Sequence, residues 1–416
     1  MARPLIGRPA NCGVAMAVQR QLRFRPEGIY YSLAVLAVLF GAVSRQLNLL
    51  MLLGSVLAGP LVFSLIYGRL MLGRVQVRRR LPAQFYAGQR LVIDLSVANA
   101  HRRLALWAIR VEDAVRRDGV AQAADEMAKV NIFVPQVAPR QSAQVSYNGL
   151  LRRRGRYRFG PLRVSTLFPL GFVRHSLVLE GTDELLVHPK LGQLLHDWAN
   201  STREHAIGDR RMQRRGLLEA DFYGLRDWRT GDSRRWIHWR TSARRGSLVV
   251  RQFEQRRSQD LALLVDLWQP SDPREDHLEN VEAAVSFSGT LVADACRRPG
   301  PSLIVSIAAR EPLERSGAAS PMFFREQMDS LSIIEAHDQA SFPDCLARAL
   351  ATVPPSMPTL IVSTRSIDCD ALRAAAANRG AQLEGRSLQL INVAGGELAD
   401  YFQAGPRVTP DARPAS

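Results

Sequence analysis

The hydrophobic pattern changes character three times along the chain. From Gly28 to Ser44 run 17 uncharged residues, and from Gln46 to Gly68 another 23, with only Arg45 between them. Each run is near the ~20 residues a helix needs to cross a ~30 Å hydrocarbon core. The pair predicts a transmembrane helical hairpin over 28–68. The basic flank before the first run resembles a signal peptide, but a longer span directly after it fits two membrane helices better. Pro60 inside the second run is tolerated in a bilayer helix. Tyr30, Tyr31 and Tyr67 stand near span ends, as interfacial aromatics do. The alternative is a buried helical hairpin of a soluble protein.

From Val75 the period becomes two. Val75, Val77 and the run Leu91–Val97 alternate apolar with polar residues, as half-buried strands do. Further short strands are predicted near Trp107–Val111, Val130–Val134 and Ala143–Tyr147, with turn residues such as Gly88, Asn99, Pro139 and Gly149 between them. Residues 73–185 therefore read as an immunoglobulin-like β-sandwich. The arginine-rich stretch Arg152–Pro161 is expected to be a hairpin leading into Leu162–Thr166.

A third pattern begins at Asp260, where an apolar run to Leu267 fits a strand buried on both faces. A helix follows, with Asp276 as the expected N-cap and Glu279 completing a capping box. Apolar strands at Ser302–Ala308, Thr359–Ser363 and Leu388–Val393 alternate with helices near Asp344–Val353 and Asp370–Asn378, the latter closed by Gly380. This alternation predicts an α/β doubly wound sheet over 259–402. The Pro-, Ala- and Arg-containing end, 403–416, is expected to be disordered.

Charge orients the hairpin. Arg3, Arg8, Arg20, Arg23 and Arg25 precede the spans, and Arg69, Arg74, Arg78, Arg79 and Arg80 follow them. The positive-inside rule then puts the N-terminal segment, 1–27, and all of the chain after the hairpin on the cytoplasmic side. A net charge of +16 invites a nucleic-acid reading, but of 55 basic residues only Lys129 and Lys190 are lysines. Such a skew is what GC-rich coding produces, and carboxylates are interleaved with the arginines, so nucleic acid is not an expected partner. The four cysteines, Cys12, Cys296, Cys345 and Cys369, show no metal spacing and no disulfide framework.

The densest chemistry lies in the segment 186–258. Three of the six tryptophans, Trp228, Trp236 and Trp239, fall within twelve positions of it, among eight arginines from Arg226 to Arg251. Locally it reads as an extended arm (Phe222–Trp228), a turn at Thr230–Asp232, a helix from Arg234 to Ala243 capped by Ser233 or Asp232, and a returning strand. Asp232 is expected to pair with Arg235 or the first helical turn. Guanidiniums and indoles suit anions, and His238 with Asp221, Asp227 or Asp232 could exchange protons. The competing structural reading is a clamp welding two domains. No P-loop, GxSxG, HExxH or GxGxxG motif is present.

The run Arg226-x-Trp228-x-x-Gly231-Asp232-x-x-Arg235-x-Ile237-His238-Trp239-x-x-Ser242-Ala-Arg244, followed by Arg251 and Glu254, resembles the signature of the domain-of-unknown-function 58 family. Trp228 stands where that family often has tyrosine. The resemblance implies a bacterial plasma-membrane protein with a von Willebrand factor A-like C-terminal domain. It also implies partnership with a MoxR-type AAA+ ATPase and with other membrane proteins of the same operon, in assembling or maturing proteins. No catalytic residues and no cofactor come with it. Domains of the von Willebrand type bind Mg²⁺ through Asp-x-Ser-x-Ser; here the sequence is Asp266-Leu-Trp268-Gln-Pro270, a degenerate site for which no metal is expected. The expectation is a non-enzymatic adaptor. The alternative is an enzyme or binding protein acting on an anionic cell-envelope precursor through the Arg/Asp/His/Trp cluster.

Overall fold

Strand β1 (Met16–Phe24) runs directly into helix α1 (Pro26–Arg45), a tight turn and helix α2 (Asn48–Leu72). The computed structural model describes residues 16–118, 128–195, 221–229, 232, 234–254, 260–298, 300–338, 342–355, 357–380, 383 and 386–405. The chain divides into two units, with the boundary between Lys190 and Leu191. Pro26 starts α1, where a missing N–H costs nothing, and Gln46 ends it in the left-handed conformation (φ 55°). The apolar side chains of both helices face outward, with Leu36 67%, Phe40 74% and Leu49 82% exposed. The core hairpin of a soluble protein would hide them. Both helices are long and apolar enough to cross a membrane, and this is the surface a membrane anchor presents.

The N-terminal segment, expected to carry only charge, contains a strand. β1 pairs antiparallel with β10 (Val173–Glu180), setting Leu22 opposite His175 and Phe24 opposite Val173. Its arginines carry the charge that the orientation rule counts, and that masked the alternation. The hairpin is seated on the same strand. Gly28 lies against the Phe172 carbonyl, and any side chain there would collide with it. Tyr31 stacks on Phe172 at 4.5 Å.

The rest of the first unit is two sheets around one core. β2 (Val75–Arg80), β4 (Arg90–Asn99) and β7 (Ser142–Leu150) form the smaller. The larger has the order β1-β10-β9-β5-β8-β11-β3, with β6 added on β5. Its remaining members are β3 (Phe85–Tyr86), β5 (Leu106–Arg117), β6 (Ala128–Val137), β8 (Gly155–Phe159), β9 (Leu162–Thr166) and β11 (Asp183–His188). Val77, Ile93, Leu95 and Val97 from one sheet share a core with Ile109, Val111, Phe159 and Val164 from the other. The expected hairpin at Arg152–Pro161 is not one. β8 and β9 both pair with β5, through Val115–Arg117 and Ile109–Glu112, as one strand interrupted at Gly160–Pro161.

One inward position breaks the apolar alternation. Arg79, 4% exposed, donates to both oxygens of Asp113, to the Phe159 carbonyl and to Asp183. Tyr147 donates to the same Asp113 at 2.7 Å, and burial, reinforced by that carboxylate, pushes its phenol well above the ordinary value. A buried guanidinium persists only when so fully paired.

In the second unit, β15 (Leu261–Asp266) is the centre of a five-stranded sheet of order β17-β16-β15-β18-β19. β16 (Ser302–Ala308), β18 (Thr359–Ser363) and β19 (Leu388–Asn392) run parallel to it, and β17 (Leu313–Ala318) is an antiparallel edge. Every position of β15 is buried. Helices α6 (Phe342–Thr352) and α7 (Cys369–Ala377) pack on Leu264 and Ile361, while α4 (Glu275–Cys296) packs with β15 and with α5 (Pro321–Ile333). The expected capping box of α4 does not form: Arg274 stands at the N-cap without a side-chain cap bond and its N–H donates to His277 Nδ1 at 3.1 Å, because the helix begins before Asp276. α7 is capped at Asn378, ahead of Gly380. Short strands β12 (Gln193–Leu194) and β20 (Phe402–Gln403) pair with each other, so Gln403 is ordered into a strand. The expected tail beyond Gly405 lies outside the described residues.

Candidate functional site

The tryptophan- and arginine-rich segment folds as a hairpin of β13 (Asp221–Asp227) and β14 (Val249–Glu254), with a 3₁₀ turn (Arg234–Trp236) and helix α3 (Trp239–Arg245) in the connection. Arg226 faces Val250 in register, Leu225 faces Arg251 and Asp221 faces Glu254. The helix is shorter than the expected Arg234–Ala243. Ile237, 8% exposed, makes a β-bridge to Val250, which breaks the helical path at that point. The apolar demand of the hairpin overrides helix propensity there.

This rearrangement gives His238 a structural role. Its backbone N–H donates to the Val249 carbonyl at 2.8 Å, and its Nδ1 accepts from the Thr241 N–H at 3.3 Å as the helix N-cap. The expected caps, Ser233 and Asp232, are therefore replaced; Ser233 and Gly231 lie outside the described residues. Ser242, buried, accepts from the Val249 N–H at 2.9 Å and locks α3 to β14. Gly246 ends the helix with φ 70°.

Asp232 pairs with Arg226 rather than Arg235. Both carboxylate oxygens receive guanidinium donors at 2.7 Å, and the Arg229 N–H adds a third bond at 2.9 Å. The Arg226 bonds, then the Arg229 amide, hold the Asp232 carboxyl below its ordinary value; the same bond raises Arg226. The fork of the guanidinium matches the two carboxylate oxygens. Trp228 is tied by its amide to the Leu248 carbonyl, while its indole Nε1 is buried with no hydrogen-bond partner among the described residues. The remaining residues point away: Arg235, Arg240, Arg244, Arg245 and Arg251 are exposed, and Trp239 is 67% exposed. The named residues thus divide into a pinned hairpin and a basic, aromatic outer face.

A second cluster lies at the carboxyl end of the parallel sheet. Asp266 is fully buried and accepts from Arg365 Nε at 3.0 Å, Ser363 Oγ at 3.2 Å and His337 Nε2 at 3.1 Å. The Arg365 guanidinium lies over the Trp268 ring, 5.4 Å from its centroid. Thr364 Oγ1 is bonded to both the amide and the carbonyl of Trp268. This set does not fit a hard divalent cation. Both Asp266 oxygens are already engaged, a fixed positive charge sits against one of them, and the hydroxyl positions are Trp268 and Pro270. His337 is not legible in the sequence as part of this cluster, because it reaches the site from the loop after α5, bridging Trp268. Its only signal was a histidine beyond a helix.

Residues 224–304 match the family model described as protein of unknown function DUF58. The match covers the hairpin, α3, β15 and α4, and it begins inside β13. The chain is also 27% identical over 187 residues to the protein named "Uncharacterized protein YeaD" from Bacillus subtilis strain 168, spanning 44% of this chain and 45% of that relative. The aligned region is thus less than half of the relative's length. Among solved structures, a CARDB domain from Pyrococcus furiosus aligns with 27% of this chain and 86% of its own at 14% identity and a TM-score of 0.19. The sporulation control protein Spo0M from Bacillus subtilis aligns with 38% of this chain and 58% of its own at 13% identity and a TM-score of 0.17.

Proposed function

We propose that the protein is a membrane-tethered, non-enzymatic adaptor that docks a MoxR-type AAA+ ATPase, in the assembly or maturation of other proteins. The observation that carries this reading is the outer face of α3. Trp239, Arg240, Arg244 and Arg245 are exposed, while Asp232, the acid nearest in sequence, is committed to Arg226. A structural clamp would pair and bury these groups, and an active site would bring an acid and a base to one point. Tryptophan and arginine are the residues that dominate protein interfaces.

The outward apolar surface of α1 and α2 supports the tether, and the arginine asymmetry supports the cytoplasmic side in a bacterial plasma membrane. The pairing of β1 with β10 supports both hairpin ends lying on one side, because hydrogen-bonded strands cannot sit across a bilayer from each other. The same reading takes the sandwich as immunoglobulin-like and the α/β unit as von Willebrand factor A-like. The alternative, chemistry on an anionic cell-envelope precursor, has less support: the His238 ring caps a helix and Asp232 serves Arg226.

The test is capture from gently solubilised membranes with the full chain and with Arg240→Glu/Arg244→Glu, followed by identification of ATPases by mass spectrometry. The adaptor reading expects a MoxR-type ATPase with the first and its loss with the second. No such ATPase with the unaltered chain, or equal recovery with both, contradicts it.

A further inference from the structure

A cavity of about 280 Å³ opens where α2 ends and meets the β1–β10 pair. Arg20 and Leu22 from β1, Gly68 and Arg69 from α2, and His175 and Leu177 from β10 line it. His175 is only 5% exposed, yet its Nε2 has no hydrogen-bond partner among the described residues. Burial holds the imidazole below the ordinary histidine value, with the Ser64 carbonyl pulling the other way. A buried nitrogen left unsatisfied is costly, and a ligand oxygen at that point would remove the cost. Gly68 makes the arrangement possible, since a side chain there would run into the His175 ring.

The mouth of the cavity is basic on one side and apolar on the other. Arg20 and Arg69 are exposed and neither forms an ion pair among the described residues. Leu22, in the lining, is 47% exposed. The uncharged run of α2 ends at Gly68, so a hairpin that crosses a bilayer places this mouth at the depth of the headgroups. Guanidiniums match phosphate oxygens in the same forked way that they match carboxylates.

We propose that this cavity binds the phosphate of an anionic phospholipid, with Arg20 and Arg69 on its oxygens, His175 Nε2 on a further oxygen, and Leu22 against the glycerol and acyl region. Free phosphate shares the recognition chemistry but not the apolar contact. The proposal rests on the hairpin's crossing a membrane and is independent of the partner docked at α3.

Native mass spectrometry of the full chain released from detergent tests it, with phosphatidylglycerol, phosphatidylcholine and inorganic phosphate as probes. Phosphatidylglycerol should be retained roughly fivefold more than phosphatidylcholine, and Arg20→Gln/Arg69→Gln should cut that retention about tenfold. Arg78→Gln, an exposed arginine on β2, should leave it unchanged. Arg69→Gln alone should act in the same direction, which covers a double variant that does not fold. Equal retention of the two lipids, or no loss in either variant, overturns the proposal. Displacement of the lipid by millimolar inorganic phosphate overturns the lipid as the source of the phosphate. ATPase capture should be unaffected by these variants, so this idea and the adaptor reading fail separately.

Discussion

Asp266 and Asp232 each accept hydrogen bonds from an arginine, in opposite surroundings. The Asp266 side chain is 0% exposed and that of Arg365 28%, with His337 and Ser363 completing the shell. Asp232 and Arg226 are 15% and 36% exposed, and the arginines beyond them reach into solvent. The first cluster closes on itself: a carboxylate at the carboxyl end of a parallel sheet, where ligands of such sheets bind, is occupied by the protein's own cation. The second is held by a few pinned bonds and leaves its remaining charge outward. Charge that finds an internal partner is architecture, and charge left outward is available to a partner.

Removing an acid should therefore hurt far more at one place than at the other. Asp266→Ala leaves His337, Ser363 and Arg365 without their common acceptor and should lower stability by roughly 3 kcal/mol, read as a drop in the urea midpoint. Asp266→Asn, which keeps an acceptor, should cost less. A smaller effect is expected at Trp228. Trp228→Phe discards a buried N–H that has no partner, so it should be neutral or stabilising, by about 1 kcal/mol at most. A large loss there would mean that the indole is bonded after all.

The smallest effect is expected at Asp232. Its folded pKa lies below the ordinary 3.8, so whatever the pair contributes is complete above that value and is lost only as pH falls through the lower, folded one. Asp232→Asn should thus lower thermal stability only slightly at neutral pH, and that small difference from the parent should vanish in acid, where the parent loses the same contribution. A melting temperature that falls steeply in this variant near pH 7 would erase the contrast with Asp266.

Much of the fold could be read from residue patterns, and the exceptions share a cause. The alternation in β2 and β4 and the apolar runs of β15, β16 and β18 identify their own burial. β17, Leu-Glu-Arg-Ser-Gly-Ala, carries no such pattern because it is an edge whose side chains are mostly exposed. α5 has a start signal, with Ser320 as its cap and Pro321 at its opening, but only a weakly apolar face behind it. β1 was hidden by its arginines. At the site, the dense composition marked the right segment, but partner choice was not legible. Whether Asp232 takes Arg226 or Arg235, and whether His238 caps or titrates, depends on Ile237 joining the sheet, a long-range event that local spacing does not encode.

The adaptor account is tested most directly by titrating a purified MoxR-type ATPase against the full chain in nanodiscs. The account predicts binding that weakens with salt, falls at least about tenfold in Arg240→Glu/Arg244→Glu and is unchanged in Asp266→Asn. Equal binding by the Arg240→Glu/Arg244→Glu variant, or binding lost in Asp266→Asn instead, would contradict it.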